Sequence, residues 1–234
     1  MQLTFIETYS QESAREYDCR LLRTNIVNLN LRPGSDISEQ EIADILNVSR
    51  TPIREAFIKL SQENLLEILP QKGTYVSLID PEQVEESRFL REHIEREVVQ
   101  LACAAFPREE IFKLETYITQ QEMCIDKKDY IQFFELDCAM HGTIFTVCKK
   151  GRIWSMIQMM STHYNRVRML NLAYGYDWPR LIDQHKELVR AIREGNQDLG
   201  RSTVQIHLNK LMVDLEKLQQ EFIHYFKQPK QYSV

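Results

Sequence analysis

The stretch from Ser38 to Ala56 constrains this chain more than any other. Ser38, with Glu41 three residues on, reads as a capping box that opens a helix. Ile42, Ile45 and Leu46 give that helix an apolar face, and Asn47 falls where the chain must turn. Ser49 or Thr51 caps the next helix, which tolerates Pro52 in its first turn and directs Ala56, Phe57 and Leu60 inward. Upstream, residues 11–31 carry Ala14, Leu21, Leu22, Ile26 and Val27 at helical spacing until Arg32-Pro33-Gly34 ends the run. Downstream the period turns to alternation: Leu66 to Leu69 and Tyr75 to Leu78 flank Pro70-Gln71-Lys72-Gly73, the pattern of a β-hairpin. Three helices and a hairpin make a winged helix-turn-helix, whose second motif helix can enter the major groove of DNA. Ser49, Arg50, Thr51 and Arg54 at the start of that helix, with Lys72 and Gly73 at the wing tip, are the candidate DNA contacts.

Charge sharpens this expectation. The chain carries a net charge of −5, and residues 1–79 hold 8 Lys/Arg against 11 Asp/Glu. A diffuse electrostatic grip on phosphate is therefore excluded, and binding has to rest on a local patch of Arg50, Arg54, Lys59 and Lys72. No long apolar run or basic leader is present, so neither a membrane span nor a secretory signal is expected. Five cysteines without a Cys-x-x-Cys pair suit reduced thiols in a cytoplasmic protein.

Asp80-Pro81 punctuates the chain and divides it into residues 1–79, the winged helix-turn-helix, and residues 80–234. The second part is helical in pattern throughout, with helices near 81–105, 108–127, 129–149, 151–174, 178–194 and 197–227. The fold class is mainly α: a winged helix-turn-helix followed by an all-α antiparallel bundle of six or seven helices.

Three of those helices place ionisable residues on stripes that should be core. Asp137 and His141, four apart, share a face with Phe133, Met140, Ile144 and Cys148. His185 sits among Leu181, Leu188 and Ile192, and His207 among Val204, Leu208 and Leu211. A buried carboxylate is costly unless paired or metal-bound. One aspartate and three imidazoles can satisfy each other around a divalent cation, and zinc, nickel, manganese and iron all suit that donor set. Hydrogen-bonded core histidines and an Asp–Arg pair are the competing interpretation. Arg91 and Arg168 are the preferred candidates to hold the carboxylate of a small organic acid beside the metal. Three functions remain open: a regulator controlled by that acid, a metal-dependent hydrolase fused to a DNA reader, and a sensor of the metal itself. The hydrolase needs a general base near the metal, and helical geometry turns Glu135 about 200° away from Asp137.

The front segment resembles the GntR family of bacterial transcription regulators through Leu31-Arg32-Pro33-Gly34, Ser38-Glu39, Ile42-Ala43, Val48-Ser49-Arg50-Thr51-Pro52, Arg54-Glu55-Ala56 and Lys72-Gly73-Thr74-Tyr75-Val76. Asp137-x-x-x-His141, Gln184-His185-Lys186-Glu187-Leu188 and His207 are similar to the metal-binding pattern of the helical FCD domain in the FadR subfamily. A count of six helices favours its VanR-like branch. The resemblance implies a homodimeric repressor on operator DNA, contacts by Arg50, Thr51, Arg54 and the wing tip, and a metal on Asp137, His141, His185 and His207 beside an organic acid. Gln40 departs from the family, which often carries arginine there.

Overall fold

The computed structural model describes residues 3–174 and 177–228, and they fall into two compact units. The first comprises residues 3–81 and 219–228; the second comprises residues 82–218, of which 175 and 176 lie outside the description. The chain crosses from one to the other at 81–82 and back at 218–219. Residues 219–228 therefore belong with the N-terminal unit, although the sequence assigns everything beyond residue 79 to the bundle.

In the first unit, α1 (Ala14–Val27), α2 (Glu39–Leu46) and α3 (Arg50–Gln62) pack around Leu22, Ile26, Ile42, Ile53, Phe57 and Leu60. Asn47 turns the chain between α2 and α3 in the left-handed conformation (φ 54°), which asparagine adopts more readily than most residues. Strands β1 (Leu66–Leu69) and β2 (Gly73–Val76) pair antiparallel, with Leu66 opposite Val76 and Leu69 opposite Gly73. Gly73, at φ 116°, makes the tight wing tip that a side chain would strain. After α10, a 3-10 turn at Ile223–Tyr225 leads Phe226 alongside Ile79; the Ile79 N–H donates to the Tyr225 carbonyl and the Lys227 N–H to the Ile79 carbonyl, both at 2.8 Å.

Two local expectations fail. Ser38 is the N-cap of α2 but makes no side-chain capping bond. The chain entering it is already held by the wing, because the Ile37 N–H donates to the Thr74 carbonyl at 2.9 Å. The capping box forms instead at Ser13 and Glu16, where α1 begins. Ile45, expected inside, is 37% exposed, and Ala43 takes its place in the core.

The second unit contains seven helices: α4 (Pro81–Ala104, from its second residue), α5 (Arg108–Lys127), α6 (Tyr130–Val147), α7 (Gly151–Met160), α8 (Thr162–Ala173), α9 (Trp178–Glu194) and α10 (Gln197–Glu221, up to residue 218). The expected helix at 151–174 is broken at Ser161. Ser161 Oγ donates back to the Ile157 carbonyl, and Ser87 Oγ takes the Met160 carbonyl, so the helical ladder loses its continuity there. With seven helices the ground for the VanR-like assignment disappears. The core of this unit runs through Val98, Ala102, Leu114, Phe133, Phe145 and Leu188. Among the described residues no helix is long and apolar enough to cross a membrane.

Phe57 is fully buried at the centre of the first core. Phe57→Ala is expected to destabilise that unit by about 3–5 kcal/mol, read as a lower urea midpoint. A midpoint within error of wild type would show that this core is not what holds the unit together.

Candidate metal centre and nucleic-acid face

Asp137 and His141 lie one turn apart on α6, His185 on α9 and His207 on α10. One ligand atom from each lies within 4.8 Å of the others, and the group is buried apart from His207, which is partly so. The ring centroids of His207 stand 4.9 Å from His185 and 5.4 Å from His141. Gly142 permits this packing: a Cβ there would meet Trp154 Nε1 at 2.8 Å, and Trp154 stacks beside His141 at an interplanar angle of 11°.

Each imidazole is oriented from behind. His141 Nδ1 donates to Glu95 on α4 (2.7 Å), His185 Nδ1 to Gln121 on α5 (2.7 Å), and His207 Nδ1 to Gln184 on α9 (3.0 Å). That places the proton on Nδ1 and leaves each Nε2 lone pair facing its neighbours. The Nε2 atoms of His141 and His185 are buried without a hydrogen-bond partner. His185 Nε2 approaches Asp137 Oδ1 to 3.1 Å, but without hydrogen-bond alignment. Buried nitrogens left orphaned beside a carboxylate are what a cation site requires, and a three-imidazole, one-carboxylate set fits a divalent ion.

The electrostatics agree. Burial holds His185 below its usual pKa, and burial with two imidazole neighbours holds His207 well below it, so both are neutral and able to ligate. Burial opposes ionisation of Asp137, yet the Arg168 guanidinium outweighs it and keeps the carboxyl well below the usual range. Burial likewise opposes the Glu95 carboxylate, and Arg91 followed by His141 draws its pKa down to about 2.

The two arginines part company. Arg168, on α8, pairs with Asp137 and lines a cavity with Tyr164, His207, Lys210 and Asp214. Arg91 does not line it; fully buried on α4, its Nε donates to Glu95 Oε1 at 2.6 Å. Glu135 is likewise absent from the cavity wall. Glu95, Gln121 and Gln184 were not anticipated, because a glutamine or glutamate on a partly polar helix carries no periodic signal.

In the first unit, Ser49, Arg50, Thr51, Arg54, Lys72 and Gly73 are all exposed. Arg50, Lys72 and Gly73 line one cleft with Ser38, Glu39 and Tyr75. Arg50 Nε is tied to Glu39 Oε2 at 2.8 Å, and the Tyr75 hydroxyl braces the wing tip through the Lys72 carbonyl at 3.1 Å. Ser49, Thr51 and Arg54 occupy the first turns of α3 outside that cleft. Gln40, on α2, bonds Asp44 at 2.8 Å.

A DNA-reading face and a buried histidine–aspartate cluster, on a winged helix-turn-helix and a helical bundle, define a ligand-responsive transcription regulator. The family models agree: "Bacterial regulatory proteins, gntR family" matches residues 19–76 and "FCD domain" matches residues 86–210. The chain is 31% identical over 209 residues to the HTH-type transcriptional repressor RspR of Escherichia coli (strain K12), covering 89% of this chain and 92% of that one. It is 32% identical over 197 residues to an HTH-type transcriptional regulator in an unstable DNA locus of Streptomyces ambofaciens, covering 84% and 83%. The solved structure of E. coli McbR/YncC shares the fold, with a TM-score of 0.77 at 18% identity over 91% of this chain and 100% of that one. This protein belongs to the GntR family of transcription regulators, and its FCD domain places it in the FadR subfamily. It is a DNA-binding regulator rather than an enzyme.

Acid should act on the helical unit of chelator-treated protein in two stages. Below about pH 6.5 unfolded histidines bind protons that folded His185 and His207 refuse, so stability falls as pH drops. Below about pH 4.5 unfolded carboxylates bind protons that Glu95 and Asp137 refuse, and stability falls again. Urea midpoints between pH 7.5 and 3 should show both falls, the second shallower in Glu95→Gln. Equal acid limbs in the two proteins would contradict the assignment.

Proposed function

We propose that this protein is a homodimeric repressor whose hold on operator DNA is set by a small organic acid bound beside a divalent metal in the helical unit. The observation that carries the sensing half is the convergence of Asp137, His141, His185 and His207, with unpartnered Nε2 atoms, at the wall of a cavity. The named relative RspR is a repressor, which supports the sign of regulation. The ion is zinc, nickel, manganese or iron, bound by the four side chains while Glu95, Gln121 and Gln184 fix the imidazole tautomers. Arg168, beside Asp137, contributes an N–H to the carboxylate of the acid; Arg91 acts through Glu95. A helical face bearing exposed Phe89, Met156, Met159 and Met160 supports pairing of the helical units. The partner is chromosomal DNA, so the working compartment is the bacterial cytoplasm.

On DNA, two recognition helices related by the dimer axis read two half-sites of a near-palindromic operator. Arg50 and Arg54 contact base edges and phosphates, Ser49 and Thr51 contact phosphates at the helix start, and Lys72 with Gly73 tracks the neighbouring backbone. Coupling between acid and DNA of about 1–3 kcal/mol changes operator occupancy by roughly one to two orders of magnitude, enough to switch a promoter.

Arg50→Ala is expected to weaken binding to duplexes selected by the wild-type protein by about one to two orders of magnitude. Far-UV circular dichroism should be unchanged. Unaltered affinity in a gel-shift titration would refute the reading role. His207→Ala is expected to abolish stoichiometric metal by elemental analysis; a full complement of metal in the variant would remove His207 from the site.

A further inference from the structure

The cavity beside the histidine cluster has a second polar end, which neither the cation nor Arg168 explains. Helix α10 contributes His207, Lys210, Leu211 and Asp214 to its wall, at spacings that put them on one face. Asn171, on α8, completes that end. Lys210 Nζ donates to Asp214 Oδ2 at 2.8 Å, and Asn171 Nδ2 donates to the same oxygen at 2.9 Å. Lys210 also stands 3.8 Å from Asp177 Oδ2. Phe133, Leu172 and Leu181 line the remaining wall and offer no polar group.

The charge balance of this end decides what it accepts. Lys210 is matched by Asp214, with Asp177 nearby. A second carboxylate on the ligand would have to part Lys210 from Asp214 and then lie beside the freed aspartate. An ammonium would compete with Lys210 for the same oxygen. An alkyl tail would strip water from a lysine, an asparagine and an aspartate and return no hydrogen bond, which is costly. A neutral group that both donates and accepts fits all three residues. A hydroxyl can accept from Lys210 and donate to Asp214 Oδ1 or Asn171 Oδ1, since both existing bonds on Asp214 fall on Oδ2. The helix also supplies a ruler: at about 1.5 Å per residue, Lys210 lies about 4.5 Å and Asp214 about 10.5 Å along the axis from His207.

We propose that the ligand is an open-chain polyhydroxy carboxylate of roughly four to six carbons, the span set by that rise. Its acid group lies at the metal and Arg168, and its hydroxyls lie on Lys210, Asn171 and Asp214, which act as specificity-determining residues. The proposal rests on the reading of the cluster as a metal and carboxylate effector site.

The test uses metal-loaded, full-length protein and calorimetric titration with ligands matched in length. Four- to six-carbon aldonates are compared with butanoate, pentanoate and hexanoate, with succinate and adipate, and with 6-aminohexanoate. Aldonates should bind at least about a hundredfold tighter than alkanoates of equal length, because a site built for hydroxyls rejects the analogue lacking them. In Lys210→Met and, separately, Asn171→Leu that ratio should collapse toward one, with metal content per chain retained as the check on folding. Alkanoates, diacids or the amino acid binding as tightly as aldonates would overturn this inference while leaving the effector site standing. Binding of no acid of any class would overturn the effector reading itself. An undiminished hydroxyl preference in both variants would remove Lys210 and Asn171 from the recognition.

Discussion

Five helices of the second unit are tied to one buried polar knot. Asp137 and His141 on α6, His185 on α9 and His207 on α10 bring a carboxylate and three imidazoles into an otherwise apolar interior, and burying such groups is unfavourable unless each finds a partner. The partners come from still other helices: Glu95 on α4, Gln121 on α5, and Arg168 on α8. Glu95 in turn is held by Arg91, whose position among Trp154 and Tyr164 rings keeps the guanidinium fixed. A half-satisfied polar network is worse than none. The two imidazole nitrogens still without partners are therefore the point at which this fold is incomplete by itself, and a cation completes it.

The reading face solves the opposite problem, since its polar groups must stay free for a partner. Its recognition residues are exposed, and the acidic surroundings suppress indiscriminate attraction to phosphate. Glu39 lies against Arg50 in the same cleft. An exposed pair of this kind adds little to stability. Its effect is on geometry, because it fixes one side of the guanidinium fork and leaves the outer edge for a base. Specificity in such a module comes from a few placed donors and not from net charge.

What the sequence made legible follows from how strongly each feature is repeated. The helix-turn-helix and the wing were visible because their turn residues, Asn47 and Gly73, have few substitutes for the backbone they adopt. Asp137 and His141 were visible because polar residues four apart on an apolar stripe violate the expected pattern. The break at Ser161 was not, since serine is common inside helices and only the contact between Ser87 and the Met160 carbonyl, 73 residues apart, diverts the ladder. The same holds for Ser38: serine followed by glutamate after three residues occurs at both Ser13 and Ser38, and the wing decides which one caps. Gln121 and Gln184 escaped for a related reason. Their role exists only through a partner on another helix, and single-chain periodicity does not record partners. The return of residues 219–228 to the first unit belongs to this class as well, resting on two backbone hydrogen bonds at Ile79.

Charge accounting links the metal to the acid. Without a cation the cavity and its supports are balanced: Arg91 with Glu95, Arg168 with Asp137, Lys210 with Asp214, and neutral imidazoles at His185 and His207. An anionic ligand entering that neutral, poorly solvated space would lose hydration and gain little Coulombic attraction. A divalent ion on the four ligands would raise the local charge by two and leave an anion as the natural completion. Under the proposed reading, metal and acid therefore bind with positive coupling, and by linkage the acid tightens the metal as much as the metal tightens the acid. A regulator built this way responds to the acid only when the metal site is filled. The four ligands thus set whether the cavity senses anything, and its far wall sets what.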